Sequence, residues 1–281
     1  MADYSTSSPT RRVPGPTTAS DVVIGVLVAM ARKVLFIPAE KKAIFYLVAV
    51  LAVSVFAVYA PPDDEYYVAK KHNVFNRYGT KLGWFWTLTT VAPFVYLTSY
   101  LHHNSHKKAA THLARLAIGT GIWYFVTNFF VHIEQRTGRC LNSSKDIFHR
   151  DECSLSGGKW LPGIDISGHA FLLIYNILII TEEAASFINW PSTPNRPNRI
   201  VSPNGYNEYK ALTKAVQGLV LILFVFHLFW DFQLIVTCLY YHDINHKFLG
   251  AAAAVAAWAV SYKGIFNIFP GQPIRRKEKS F

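Results

Sequence analysis

Long apolar segments recur along this chain and are separated by shorter polar stretches. Each segment approaches or exceeds the roughly 20 residues that an α-helix needs to cross a bilayer. Apolar residues run continuously within a segment and do not alternate with polar ones, which predicts helices and excludes a β-barrel. The predicted spans cover residues 43–60, 83–101, 113–133, 168–188, 213–240 and 248–269. The predicted fold class is therefore all-α, a polytopic membrane helix bundle of about six transmembrane helices.

A shorter apolar stretch, residues 22–31, precedes these spans and ends at Arg32 and Lys33. Its length favours a helix that lies in the membrane interface over an additional span, and both readings stay open. The start of the chain is rich in Ser, Thr and Pro and is predicted to be disordered. It lacks the early apolar core of a cleavable signal peptide.

The distribution of charge predicts how the chain is oriented in the membrane. The 281 residues are 51% hydrophobic and carry a net charge of +11. With a cytosolic N-terminus and alternating spans, most lysines and arginines fall on cytosolic segments, as the positive-inside rule requires. We therefore expect the basic residues to face anionic lipid headgroups, with no nucleic-acid partner. The predicted organisation is a cytosolic segment 1–42, a membrane domain 43–269 with lumenal loops 61–82, 134–167 and 241–247, and a basic cytosolic tail 270–281.

Three local signals agree with this orientation, in which both termini are cytosolic. Cys140 and Cys153 fall in the loop 134–167, where a lumenal environment permits a disulfide. Asn142 begins an Asn-Ser-Ser glycosylation sequon in the same loop. Two lysines near the C-terminus resemble a cytosolic retrieval signal of the endoplasmic reticulum. Together these features predict a multi-pass protein of the endoplasmic reticulum membrane.

His169 stands at the mouth of the fourth predicted span, directly after Ser167 and Gly168. Ser167 can cap the helix, and Gly168 lets the backbone approach a ligand closely. His169 then lies in the first turn, where the helix dipole favours a bound anion. The alternative is an interfacial histidine that only extends its polar tip to water.

His242 ends the fifth predicted span and emerges on the same side as His169 in this orientation. Two titratable rings at one bilayer boundary can form a site that meets lipid and water together. His242 and His246 are four residues apart and could share a helical face as metal ligands. No third ligand has a clear place, so we expect an acid-base or nucleophilic histidine and no metal.

Polar residues also occur deeper in the spans. His227 and Asp231 are four residues apart in the fifth span, where an ionisable pair is either functional or satisfied within the bundle. Glu182 and Glu183 lie near the cytosolic end of the fourth span. We expect these glutamates to pair with Arg or Lys of the following loop or to line a polar path.

Four cations precede the second span, on the predicted side of His169 and His242. They could hold phosphate oxygens or contact lipid headgroups, and both readings stay open. These residues are Lys70, Lys71, Arg77 and Lys81.

The run Asp165-Ile166-Ser167-Gly168-His169 and the later Tyr240-Tyr241-His242 resemble the fat storage-inducing transmembrane family of the endoplasmic reticulum. The earlier Asn73-Val74-Phe75-Asn76 and the pair Glu182-Glu183 share this resemblance, which covers about residues 65–265. It implies six spans, cytosolic termini and a role in storing neutral lipid in droplets.

The family is distantly similar to membrane lipid phosphate phosphatases, in which a Ser-Gly-His histidine is the general acid and a later histidine the nucleophile. The resemblance thus implies that His169 is the acid and His242 the nucleophile, without a cofactor. The implied reaction cleaves the diphosphate of fatty acyl-CoA to acyl 4'-phosphopantetheine and adenosine 3',5'-bisphosphate. The alternative is a non-catalytic protein that binds di- or triacylglycerol through its intramembrane polar groups, such as His227 and Asp231. A transporter is a weaker third reading, because no internal repeat is visible.

The chain departs from the phosphatase pattern around the implied nucleophile. No arginine stands shortly before His242, and His246 replaces the acid expected four residues after it. Lys70 and Arg77 have the phosphatase spacing but lack the following proline. The sequence therefore does not determine which group orients His242, which cations hold phosphate, or the oligomeric state.

Overall fold

The computed structural model describes residues 18–103, 105–141, 150–188 and 203–268, with the backbone alone described for 203–211. Its α-helices are α1 (Ala19–Leu35), α2 (Ala39–Tyr59), α3 (Gly83–His103), α4 (His106–Thr137), α5 (Arg150–Leu155), α6 (Gly168–Ala184), α7 (Pro203–Tyr240), α8 (Ile244–Ala259) and α9 (Phe266–Ile268). A π-helical segment, Val260–Ile265, joins α8 to α9. The Asn142 sequon, most of the start predicted to be disordered and the tail 270–281 lie outside the described residues.

The predicted fold class is confirmed: the chain is an all-α polytopic membrane protein. Within the described ranges, five helices are long and apolar enough to cross a membrane. They cover Ala39–Tyr59, His106–Thr137, Gly168–Phe187, Leu212–Tyr240 and Ile244–Ile268. The remaining predicted span, residues 83–101, corresponds to α3, which has 21 residues but is rich in Trp, Thr and Tyr, which lower its hydropathy.

Helix α1 contains the short apolar stretch 22–31 and is not among these five helices. Arg32 ties its end to the rest of the protein, because its guanidinium donates to the carbonyl oxygen of Ile188 at 2.8 Å. The same guanidinium lies over the rings of Phe36 and Phe187, at 5.2 and 5.6 Å. The helix is thereby fixed beside the end of α6.

Helix α6 occupies the centre of the bundle. In its most apolar stretch of 18 residues, 83% is buried inside the protein, whereas the corresponding buried share is 39% or less in the other four spanning helices. The reason lies in its sequence, since Ala170–Ile180 is apolar on all sides apart from Tyr175 and Asn176. It packs against α2, α3, α7 and α8. We call the end of the bundle where α6 begins and α7 ends the histidine end.

Small residues on α8 bring its backbone close to the start of α6. Ala251 and Ala254 are fully buried. At Gly250, an added Cβ would lie 2.4 Å from the carbonyl oxygen of Ser167. Membrane helices pack this closely through small residues because dispersion, rather than water exclusion, holds them together. Gly250 therefore positions α8 against the residue that caps α6.

The described residues between α4 and α6 form a small cross-linked unit, whose two short strands were not predicted from the sequence. Strands β1 (Arg139–Leu141) and β2 (Lys159–Leu161) pair in antiparallel register. The predicted disulfide is present between Cys140 and Cys153. Trp160 Nε1 donates to Glu134 Oε1 at 3.0 Å and holds this unit to the end of α4.

The far end of α6 is held by ion pairing between helices. Arg115 of α4 makes two hydrogen bonds to Glu183, at 3.0 and 2.6 Å, and both side chains are buried. Tyr262 donates to the same carboxylate at 2.8 Å, and Trp258 donates to Glu182 at 3.1 Å. The described partners of these glutamates therefore lie on neighbouring helices, and residues 189–202 of the following loop lie outside the described residues.

We predict that Gly250→Ala destabilises the bundle by about 1–3 kcal/mol, because the new methyl group forces α8 away from the cap of α6. Thermal unfolding in detergent, followed by circular dichroism, measures this effect. Gly218→Ala on α7 is the matched control, since no atom lies within 4 Å of the added Cβ. The Gly218→Ala variant should be as stable as wild type or more stable. Equal unfolding temperatures for the two variants would contradict the close contact.

Candidate active site

His169 lies in the first turn of α6, and its ring is held by Asn76. The ring nitrogen Nε2 is 2.8 Å from Asn76 Oδ1. The amide nitrogen of Asn76 donates to the carbonyl oxygen of Lys71 at 2.7 Å, which directs the amide oxygen toward the histidine. Because an amide oxygen only accepts hydrogen bonds, His169 Nε2 carries the proton and Nδ1 is its second, unengaged nitrogen.

Asn76 belongs to a turn that is held together by its own side chains. Buried Asn73 donates to the carbonyl oxygens of Val68 and Lys70 at 2.9 and 2.7 Å. Its amide oxygen accepts from the backbone N–H of Asn76 at 2.7 Å. These side-chain hydrogen bonds stabilise the turn before α3, so the turn keeps a defined shape over the start of α6.

His242 stands in the short connection between α7 and α8. Its φ of +55° is the sole positive value of a non-glycine residue in the part of the chain that the structure describes. A left-handed backbone at histidine costs conformational energy and is found at functional sites more often than elsewhere. The ring nitrogen Nδ1 lies 3.1 Å from Asp165 Oδ2, and the side chain is 23% exposed. Asp165 therefore orients the ring and leaves Nε2 as the unengaged nitrogen.

Three segments of the chain converge on these two histidines. Tyr241 donates to the carbonyl oxygens of Val68 and Lys70, at 3.2 and 3.3 Å, and its ring centroid is 6.3 Å from that of His169. The backbone N–H of Ser167 donates to the carbonyl oxygen of His246 at 3.1 Å. The turn before α3, the start of α6 and the connection from α7 to α8 thus form one site at the histidine end.

The surroundings of His242 favour its neutral form. Burial lowers the pKa of His242 below its usual value, and the nearby charges of His246 and Lys71 act in the same direction. The carboxylate of Asp165 opposes them and raises the pKa. The net shift is downward, so the ring is unprotonated at neutral pH and has a lone pair available.

The predicted cations divide into two groups. Lys81 is within electrostatic range of His169, and Lys71 is within range of His242. Both side chains are exposed and so can move toward a bound anion. Arg77 instead lies over the ring of Tyr78 at 5.5 Å, and Lys70 contributes its backbone carbonyl to the turn.

The other predicted residues take structural positions. Ser167 caps α6, accepting from the N–H of Ala170 at 3.2 Å, and Gly168 is the first residue of the helix. His246 Nδ1 is 4.0 Å from Asp243 Oδ2. No group of three His, Cys, Asp or Glu side chains is arranged to hold a metal ion among the described residues.

Asp231 and His227 precede His242 by about 16 and 22 Å of helix rise and belong to a separate network. His227 Nδ1 is 2.9 Å from Asp231 Oδ2, and its Nε2 is 2.5 Å from Lys42 Nζ. Tyr46 donates to the other oxygen of Asp231 at 2.6 Å, and Lys42 also donates to Thr181 at 2.9 Å. This network joins α2, α6 and α7, and the pair is satisfied within the bundle.

Asp165 and Asn76 were not identified as site residues from the sequence. Asp165 stands in the same run as His169, but nothing in its spacing connects it to His242. Asn76 is part of the Asn73-Val74-Phe75-Asn76 motif, to which the sequence alone assigns no chemical role. The sequence signal was an asparagine in a polar turn, and its role can be assigned only from its contact with His169.

Known proteins resemble this chain over most of its length. The family model described as "Fat storage-inducing transmembrane protein" matches residues 64–262. The relative from Caenorhabditis elegans named "Acyl-coenzyme A diphosphatase FITM2" is 38% identical over 271 residues, which are 96% of this chain and 94% of the relative. The relative of the same name from Homo sapiens is 30% identical over 207 residues, 72% of this chain and 73% of its own. No solved structure matches the chain.

We predict that Asp165→Asn shifts the titration of His242 to lower pH, because the carboxylate that raises its pKa is removed. Diethylpyrocarbonate modifies only unprotonated imidazole, so the modification rate of His242 reports its titration. The rate should decline in wild type as pH falls through the pKa of His242, and at lower pH in the variant. Peptide mass spectrometry resolves His242 from exposed His132, whose profile should be identical in both proteins. An unchanged profile at His242 would contradict the pairing.

Proposed function

Because the chain belongs to the fat storage-inducing transmembrane family, we propose that it cleaves the diphosphate of fatty acyl-CoA. The products are acyl 4'-phosphopantetheine and adenosine 3',5'-bisphosphate. The observation that carries the proposal is the pairing of His242 with Asp165 beside His169, within one site at the histidine end. Relatives named acyl-coenzyme A diphosphatase support the choice of substrate.

In this proposal His242 is the nucleophile. Its Nδ1–H donates to Asp165, so the lone pair of Nε2 is free to attack one phosphorus of the anhydride. The bridging oxygen leaves with the bond's electron pair on the other phosphate. Water then attacks the phosphohistidine and restores the ring. The Asp165–His242 pair takes the place of the carboxylate that the phosphatase pattern supplies four residues after the histidine.

His169 is the general acid, and Asn76 positions it. With Nε2–H donated to Asn76, Nδ1 takes up a proton from water when the anionic diphosphate binds and gives that proton to the leaving oxygen. Lys71 and Lys81 neutralise charge on the phosphates, which matters because phosphoryl transfer depends mainly on positioning and charge stabilisation. The acyl chain stays among the membrane lipids while the diphosphate meets the site.

We further propose that the histidine end faces the lumen of the endoplasmic reticulum and that both termini are cytosolic. The disulfide in the loop 134–167 and the distribution of basic residues support this orientation. In that membrane the reaction supports lipid droplet formation and lipid homeostasis.

The polar contacts inside the bundle favour an enzyme over a non-catalytic binder of di- or triacylglycerol. Asp231 and His227 are engaged with Tyr46 and Lys42, and Glu183 is engaged with Arg115. A glycerol ester would have to compete with these bonds.

We predict that His242→Ala abolishes both hydrolysis and a covalent phospho-enzyme, because it removes the Nε2 lone pair that attacks phosphorus in this proposal. Protein in nanodiscs is given acyl-CoA and, in parallel, phosphatidic acid, and radiolabel trapped on wild type should occupy Nε2 of His242. His132→Ala is the matched histidine control and should retain full activity. Turnover of phosphatidic acid alone would overturn the proposed substrate, and full activity of His242→Ala would overturn the proposed nucleophile.

Loss of the acid should depend on the leaving group. We predict that His169→Ala slows acyl-CoA hydrolysis by about 10²–10⁴-fold. A substrate whose leaving group needs no proton should recover most of that loss, but it should not rescue His242→Ala. Steady-state rates on the two substrates measure this difference. Equal rescue of both variants would show that the roles are wrongly assigned.

A further inference from the structure

Three buried polar side chains lie below the two histidines and have no hydrogen-bond partner in the part of the chain that the structure describes. They are Asn176, Thr87 and Trp230, whose relative exposures are 0%, 1% and 0%. Both polar atoms of the Asn176 amide are unsatisfied, as are the Thr87 hydroxyl and the Trp230 indole N–H. Buried polar groups in folded proteins are nearly always paired, so this group requires an explanation.

Asn176 and Trp230 meet beside the start of α3, and Thr87 lies one turn further along the same face of that helix. A Cβ added at Gly83 would lie 3.3 Å from Asn176 Nδ2 and 3.4 Å from the Trp230 ring. Thr87 is one helical turn after Gly83 and therefore shares its face of α3. The unsatisfied groups thus belong to a single place and come from three different helices.

This place lies on the same face of α6 as His169. Asn176 follows His169 by about two helical turns, which places it about 10 Å deeper along the helix axis. Between the two, α6 presents apolar residues such as Leu172 and Leu173. A ligand whose charged end meets the histidines would reach Asn176 with a polar group further along its length.

We propose that Asn176, Thr87 and Trp230 form a subsite that binds an amide of the pantetheine arm of acyl-CoA. This inference rests on the proposed function. The arm links the diphosphate to the thioester and carries two amides, the second of which reaches this depth when the arm is extended. An amide offers one donor and one acceptor, and Asn176 offers the complementary pair. The indole N–H adds a second donor for the carbonyl oxygen.

The same chemistry discriminates against other phosphorylated lipids. A glycerolipid carries esters and no amide between its phosphate and its acyl chains, and esters accept hydrogen bonds but cannot donate them. The carbonyl oxygen of Asn176 would then stay buried and unpaired, and a site built for a donor rejects a ligand that lacks one.

The segment that precedes α3 connects this place to the turn that holds His169. It begins with a π-helical turn, Phe75–Gly79, and a 3₁₀ turn, Thr80–Leu82, both of which have weaker hydrogen-bond geometry than an α-helix. Thr80 accepts a bond of 2.6 Å from Gln233, which links this segment to α7. Pro93 removes one backbone donor within α3.

The test compares two substrates that share the diphosphate. One is a long-chain acyl-CoA, and the other is a 3'-phospho-ADP alkyl ester of equal length without amides. For protein in nanodiscs, Asn176→Leu should lower kcat/KM for acyl-CoA by about 10–100-fold and leave the alkyl ester unchanged. Trp230→Phe and Thr87→Val should also lower the ratio of kcat/KM for acyl-CoA to kcat/KM for the alkyl ester. Thr98→Val is the control, since Thr98 is buried on α3 and bonds only to its own helix backbone.

Failure of the subsite proposal and failure of the proposed function would give different results in this experiment. If all three subsite variants keep the wild-type ratio of kcat/KM for acyl-CoA to kcat/KM for the alkyl ester, the subsite is overturned. The same holds if the variants lower only the unfolding temperature, which would mean that the three groups bind buried water instead of substrate. Trp230→Phe and Thr87→Val decide the matter if Asn176→Leu does not fold. Wild type that hydrolyses neither substrate would instead overturn the proposed function.

Discussion

The burial of α6 on all sides is the constraint from which the other features follow. A helix with no lipid-facing side must have its polar groups satisfied by neighbouring helices or by a ligand, because unpaired polar atoms are costly away from water. At one end Arg115 pairs with Glu183, and Thr181 in the same last turn accepts from Lys42. At the other end Ser167 caps the helix and its backbone bonds to His246. The neighbouring helices are therefore placed as much by polar contacts as by packing.

The histidine end depends on this arrangement because its two rings belong to different helices. His169 is carried by α6, whereas His242 is carried by the connection that follows α7, in a strained left-handed conformation. Gly250 allows α8 to approach Ser167 closely enough to hold that connection in place. Each ring then has one nitrogen bound to a fixed partner, Asn76 or Asp165, and one nitrogen left for chemistry. The two rings use opposite nitrogens, which suits an acid and a nucleophile.

Polar groups inside the bundle serve different purposes at different depths. The networks around Asp231 and Glu183 are complete and join helices, so they account for stability and leave little capacity for a ligand. Asn176 differs because its amide is buried without a described partner, although it lies between the histidine end and a satisfied network. This contrast is the reason to assign ligand binding to one buried polar cluster and structural roles to the others.

The sequence by itself determined the helices, because apolar runs of membrane-spanning length leave the backbone no other way to satisfy its hydrogen bonds. It also determined the position of His169 after a capping serine and the pairing of the cysteines in one short loop. Only the tertiary structure decided that Asp165 reaches His242, that Asn76 holds His169 and that Arg115 meets Glu183. Periodicity records which face of a helix is apolar, but the partner of a polar side chain depends on depth and on the packing of segments far apart in the chain.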